Sequence, residues 1–506
     1  MSTSPPPPQR LNPFAFPSET DTRFVMLVVA VIMISVHMGT IMREIFNPEM
    51  PTPLTSLIVS ALLVIAALAL ALLIYRTYPN RVRHSQHLEV FRKEKDPLFH
   101  NEIERLAGVA SITLPTIELG NTLRDQSGQA FGFSDRYSIR LDAGLRLLLR
   151  KAPEKFRAIV LHEMAHIAND DVRRTYFTQA LWYAVIFLTL LPTTAIISFH
   201  FLLKPLTQGV TISTLVSLYL PRGLFFFIQV FILLAIVGLI RAGLLRARET
   251  YADWHAALWG AATLLATILQ NQAAKEKPTN PITGLWSLHP AAWDRLNALE
   301  NPHTLFRLTL DLPFTVGVLI AFQIVGTFEI FVPLVVMLDR ASFVLISNLA
   351  SAVQTSAFEL LILLMVSPPV VLVGILVSTI LVFPIFGISY LVAWTIGLQV
   401  QRQAVAEDVL KRQGCVQGCA KYLSLWVVAA VIALGIEVGF FIIPINVFSP
   451  QTLTSALLAI PWLIGATGLT WLWLMFARYF GDRIFDGHVG LTPPKLKLRV
   501  LNAALS

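Results

Sequence analysis

The sequence predicts a mainly α, polytopic helical membrane protein that carries a polar unit with a small β-hairpin. Three observations predict it. Of 506 residues, 55% are hydrophobic and only 14% charged, and the mean hydropathy is +0.65. Those values lie outside the range of a soluble globular domain. Apolar runs of about 20 residues, the length that crosses a bilayer, recur along the chain. One stretch, 128–145, alternates with period two instead, and carries aromatic and β-branched residues.

The elements follow in order. Residues 1–23 are proline-rich and lack an apolar core with a cleavage site, so they read as a disordered tail. Apolar spans are expected at 24–42, 54–75, 176–203, 223–245, 314–338, 370–398, 422–443 and 454–477. A ninth candidate, 342–366, is interrupted by Asn348, Gln354 and Glu359, so the count is eight or nine. Residues 76–175 and 246–313 form two polar blocks, the second with the loop KEKPTNP. In the first, 128–145 is expected to fold as a β-hairpin around Ser134 and Asp135, and 154–168 as a helix entered through Pro153. No internal repeat of fixed period is visible.

The net charge is +8. The basic residues lie between and after the apolar runs, which is what orientation in a membrane requires, so nucleic acid is not an expected partner. Arg76, Arg81, Arg83, Arg92, Lys93 and Lys95 follow the second span. Arg241, Arg246 and Arg248 end the fourth, and Lys495, Lys497 and Arg499 lie in the tail. All three groups belong in the cytoplasm, and both polar blocks then share that compartment. Beyond residue 313 the crossing parity holds only if one stretch, such as 342–366, does not span. The two cysteines, Cys415 and Cys419, are expected as free thiols in a cytoplasmic loop.

Chemistry concentrates in FRAIVLHEMAHIANDD, residues 156–171. His162 and His166 are four apart on a helix, so both imidazoles reach one ion. Glu163 sits beside that pair, where a base is needed. A catalytic zinc site takes a third protein ligand, and Glu249 in RARETYADWHAA is the candidate, on the same side of the membrane. Asp253, four residues on, shares its face. It is placed to accept a hydrogen bond from a ligating histidine or to steady an arginine.

HEMAHIANDD, a span, and then RETYAD together resemble the integral-membrane gluzincin peptidases, the HtpX-like and CAAX prenyl protease-like group. The resemblance covers about 76–300 and includes DAGLRLLL, Asp171 and SLHPAAWDRLNAL. It implies a zincin-like cytoplasmic catalytic domain over 76–313, interleaved with spans 176–203 and 223–245, with Zn2+ on His162, His166 and Glu249. It also implies that His289 and Arg295 stabilise an oxyanion or bind the peptide backbone. Gln129 and Ala130 stand where the family often has Asn-Ala, and with Phe131 they form the expected substrate strand. About 190 residues follow the region of resemblance, and three roles for 314–506 stay open: docking substrate, walling a chamber, or forming a homo-oligomer.

The expected activity is zinc-dependent endopeptidase cleavage of membrane proteins or peptides at the cytoplasmic face. By resemblance to HtpX the cell would use it in protein quality control at a bacterial inner membrane. CAAX-type processing and a protease-type signalling receptor are the alternatives within that chemistry. Outside it, the ionisable residues His37, Glu329 and Glu437 within spans are what a transporter would offer.

Overall fold

A computed structural model describes residues 14, 18–46, 53–120, 127–133, 136–276, 280–323, 387, 390–404, 406–407, 424–442, 464–465 and 467–475. Among the described residues, five helices are long and apolar enough to cross a membrane: Glu19–Gly39, Ile58–Ser85, Asp171–Thr207, Ile212–Ala273 and Thr304–Gln323. The ninth candidate 342–366, Glu329, the Glu437 side chain, Cys415, Cys419 and the turn pair Ser134 and Asp135 lie outside the described residues. So does most of 370–398 and 454–477.

Helix α1, Glu19–Phe46, starts earlier than the proline-rich composition suggests. Ser18 and Asp21 form a reciprocal cap, with Asp21 N–H on Ser18 Oγ at 3.1 Å and Ser18 N–H on Asp21 Oδ2 at 3.0 Å. Residues 19–23, expected in the disordered tail, are therefore helical. Arg23 is buried there, donating to Asp311 Oδ2 at 2.7 Å and to Glu19 Oε1 at 2.7 Å. Helix α2, Pro53–Ser85, returns alongside α1. The two approach closely where a Cβ on Gly39 would lie 2.3 Å from Ser60 Oγ, the small-residue contact that membrane helices favour.

The chain then leaves the apolar helices for a small mixed layer. Strand β1, Glu89–Val90, is followed by α3, Pro97–Val109, then β2, Thr116–Gly120, β3, Gly128–Phe133, and β4, Arg136–Asp142. The sheet order is β1-β2-β4-β3, with β2 parallel to β4. The expected hairpin is β3 with β4, registered from Gly128↔Leu141 to Phe133↔Arg136. Its last residues differ from expectation, because helix α4, Ala143–Lys151, begins where alternation was read to residue 145. Gly132 is required in the hairpin: its φ is +115°, and a Cβ would meet Arg136 O at 2.4 Å.

Among the described residues, β3 pairs only with β4, and its other edge carries no strand. Helix α5, Pro153–Ala168, enters through Pro153 and packs between β3 and α7, Leu220–Ala256. Helix α6, Asp171–Thr207, separates α5 from α7 in the chain. Helix α8, Ala262–Ala273, α9, Pro281–Trp286, and α10, Ala292–Glu300, lead to α11, Thr304–Gln323. In the C-terminal part, residues 390–404 form α12, and Leu425–Ile442 forms α13.

Candidate metal centre

Helical spacing sets the first half of the site. On α5 the rings of His162 and His166 lie 4.8 Å apart at an interplanar angle of 81°. Helix α7 supplies the second half, because it packs on α5. His162 Nε2 lies 3.5 Å from Glu249 Oε2, and His166 Nε2 lies 3.7 Å from Glu249 Oε1. One ligand atom from each of the three residues falls within 4.8 Å of the others.

The far side of each imidazole meets a carboxylate. His166 Nδ1 bonds Asp171 at 3.0 Å, and His162 Nδ1 lies 2.9 Å from Asp253 Oδ1. An ionised carboxylate only accepts, so each Nδ1 carries a proton, and both Nε2 atoms, turned toward Glu249, are left to ligate a cation that would displace any proton there. Asp253 is gripped in turn by Arg295, whose Nε and Nη2 each donate at 2.6 Å. Arg248 Nε donates to Glu249 Oε1 at 2.9 Å. Burial opposes protonation of His162, yet Asp253 and Glu249 override it and push its pKa up to about 10. Burial likewise opposes the Arg295 charge, and Asp253 raises it.

The donor set fits a tetrahedral cation. Ligands at about 2.1 Å from zinc lie roughly 3.4 Å from one another, close to the 3.5 and 3.7 Å found here. Charge agrees. Glu163, Glu249, Asp253 and Asp171 outnumber Arg248 and Arg295 by two, the excess that one divalent cation balances.

Glu163 is buried beside the histidines, and its Oε2 accepts the N–H of Ala130 at 2.9 Å. Gly128 gives it room, since a Cβ there would lie 2.7 Å from Glu163 Cγ. The register places the backbone groups of Ala130 on the edge of β3 away from β4, because Ser127 already bonds Asp142 across the hairpin. The carbonyl of Ala130 accepts the hydroxyl of Tyr176 at 2.8 Å.

The other expected residues are placed differently. Gln129 is tied at both ends of its amide, donating to Tyr176 Oη at 3.1 Å and accepting from Arg140 Nη1 at 3.4 Å. Phe131 is fully buried beneath the Arg83 guanidinium, 5.5 Å from its ring centroid. Arg295 is engaged with Asp253, which makes it a holder of the His162 partner. His289 is exposed, and among the described residues no hydrogen bond or ion pair joins its imidazole to the centre.

Tyr176 and Arg248 escaped the sequence reading. Tyr176 sits in a stretch read only as apolar. Arg248 was read only for topology, although its place directly before Glu249 was the available signal.

Residues 93–303 match the model of Peptidase family M48. No curated protein and no solved structure matches the chain. The matched segment contains both histidines, Glu163, Glu249 and the carboxylates behind the imidazoles, so over residues 93–303 this chain, which has among its described residues five helices long and apolar enough to cross a membrane, is similar to Peptidase family M48.

Proposed function

We propose that the protein is a membrane-embedded zinc endopeptidase that hydrolyses peptide bonds of membrane proteins or peptides at the cytoplasmic face, serving protein quality control. The observation that carries this reading is the convergence of His162, His166 and Glu249 on one point with Glu163 alongside. His162, His166 and Glu249 would hold Zn2+, which as a Lewis acid polarises a carbonyl and lowers the pKa of water toward about 7.

The chain's own groups supply the rest. Glu163 is the proton carrier, taking the proton of the attacking water at Oε1 or Oε2 and delivering it to the leaving amine. The Ala130 N–H holds that carboxylate by Oε2 and so fixes its direction. Asp171 and Asp253 keep the two imidazoles turned with Nε2 inward, and Arg295 keeps Asp253 in place. Outside Ala130, whose N–H and carbonyl are taken by Glu163 and Tyr176, the outer edge of β3 is where an extended peptide would pair, backbone to backbone, a mode that tolerates many side chains. The basic flanks of the second and fourth spans support a site on the cytoplasmic side of the membrane.

The test is metal analysis combined with casein digestion by detergent-purified protein. Wild type should hold one zinc and cleave. Glu163→Gln should hold zinc without cleaving, and Glu249→Ala should lose the metal. A prenylated peptide cleaved in preference to casein would move the substrate to the CAAX type. Stoichiometric zinc in Glu249→Ala would place the third ligand elsewhere.

A further inference from the structure

Helix α12 lies outside the matched segment, yet it reaches the metal-ligand helix. Arg402 on α12 is 1% exposed. Its guanidinium donates to the phenol oxygen of Tyr251, to Leu305 O at 3.3 Å and to Gln399 Oε1 at 3.0 Å. It also lies 5.3 Å from the Phe306 ring centroid. Among the described residues no carboxylate pairs with it, so this buried cation depends on neutral oxygens and ring faces for its solvation. The helix is seated firmly: Gln399 Nε2 donates to Thr22 Oγ1 at 2.7 Å, and Leu308 N–H reaches Gln403 Oε1 at 3.5 Å.

Tyr251 occupies a telling position. It lies two residues after Glu249 and two before Asp253, and is itself 2% exposed. At 3.6 residues per turn, Glu249 and Asp253 share one face of α7 while Tyr251 projects from the opposite one. Its oxygen also receives the N–H of Glu19 at 3.5 Å, so the start of α1 and the C-terminal helix hold the same phenol.

We propose that Arg402 is a positioning residue for the metal centre: by gripping Tyr251 on the back of α7, it fixes the roll of that helix and so the placement of Glu249 and Asp253. The inference rests on the metallopeptidase reading and gives α12, beyond the matched segment, a part in it. The lever is short. Side-chain tips lie about 5–6 Å from a helix axis, so a roll of about 10° moves a carboxylate roughly 1 Å. A displacement of that size is enough to spoil a ligand set or a catalytic alignment.

Three variants test it in the full-length protein: Arg402→Met, which keeps the apolar stem, Arg402→Lys, and Tyr251→Phe, which removes one atom and keeps the packing. The readouts are zinc affinity by chelator competition, the visible spectrum of the cobalt-substituted protein, casein cleavage and melting temperature. Arg402→Met and Tyr251→Phe should each weaken zinc binding by about 10–100-fold and alter the cobalt spectrum. Arg402→Lys should recover part of the loss. The double variant should be no worse than the worse single one, since both break one contact. Wild-type zinc affinity and an unchanged cobalt spectrum in Tyr251→Phe and in folded Arg402→Met would overturn the inference, even with a lowered melting temperature. Wild type that neither binds zinc nor cleaves casein would overturn the metallopeptidase reading, and this inference with it.

Discussion

The carboxylate of Glu163 accepts the backbone N–H of Ala130 at 2.9 Å, so the edge strand and the residue beside the two histidines are mechanically joined. The joint leaves little slack, because Gly128 on the same strand meets the Glu163 side chain where any Cβ would stand. In Gly128→Ala the added methyl, 2.7 Å from Glu163 Cγ, must push the carboxylate aside. A shift near 1 Å in a catalytic group costs on the order of 10²-fold in rate. Casein cleavage should therefore fall by about that factor while bound zinc stays stoichiometric. Wild-type turnover in this variant would show that Glu163 is not held by the strand during catalysis.

The placement of Arg295 and His289 separates two roles that the family resemblance gives jointly. Arg295 grips Asp253 with two donors at 2.6 Å, and Asp253 reaches the inner imidazole of His162. Removing the guanidinium leaves a buried carboxylate without its main counter-charge, a change that costs about 3 kcal/mol in comparable settings. Arg295→Ala should accordingly lower the melting temperature and weaken zinc by about 10–100-fold. His289→Ala should change neither quantity, because the residue is exposed and makes no bond to the centre among the described residues. Titrating both variants with a zinc chelator separates the two cases, and equal losses in both would refute the assignment.

How much of this was legible in the sequence follows from the range of each contact. His162, Glu163 and His166 are four residues or fewer apart on one helix, so periodicity alone sets their mutual placement. Glu249 needed topology as well, and the basic flanks of the spans supplied it. Ser18 and Asp21 carried a readable cap, but the surrounding prolines hid it. Arg402 and Tyr251 are 151 positions apart. Nothing in an apolar run says which buried arginine meets which tyrosine, since helix packing, and not spacing, makes that pair. The same holds for Tyr176 and Ala130, which a helix and a strand bring together. Gln129 shows the opposite limit. Its strand was legible, but the two neighbours that occupy its amide were not.

Acid should weaken an ion-pair cluster on α3 that reaches the histidine helix through Arg157. The Glu102 carboxyl is held down to about 2, chiefly by Arg105, with Arg157 of α5 adding to it and partial burial opposing. Its folded value is below the roughly 4.3 expected of an unfolded chain. The stabilisation is thus complete above about pH 4.5 and fades as the pH falls from there toward 2. Water screens the partly exposed partners, so the contribution at neutral pH is under about 1 kcal/mol. Wild type should melt slightly higher than Glu102→Gln at pH 7, and the gap should close by about pH 2. A gap that widened in acid would reverse the sign and exclude this pair as its source.

Two glycines offer opposite responses to the same substitution. Gly243 on α7 faces Arg23, and an added Cβ would stand 2.2 Å from its Nη1. That guanidinium is buried, and its bonds to Asp311 and Glu19 tie the start of α1 to α11. Gly243→Ala must displace it from Asp311, so a loss of about 2–4 kcal/mol is expected from overpacking and a weakened buried pair. Gly108 lies near the end of α3, exposed, with nothing within 4 Å of an added Cβ. There alanine only restricts the unfolded chain and suits the helix, which stabilises by about 0.5–1 kcal/mol. Thermal melts of the two variants in the same detergent should move in opposite directions. A rise for Gly243→Ala would mean that α7 and α1 are not packed with Arg23 between them.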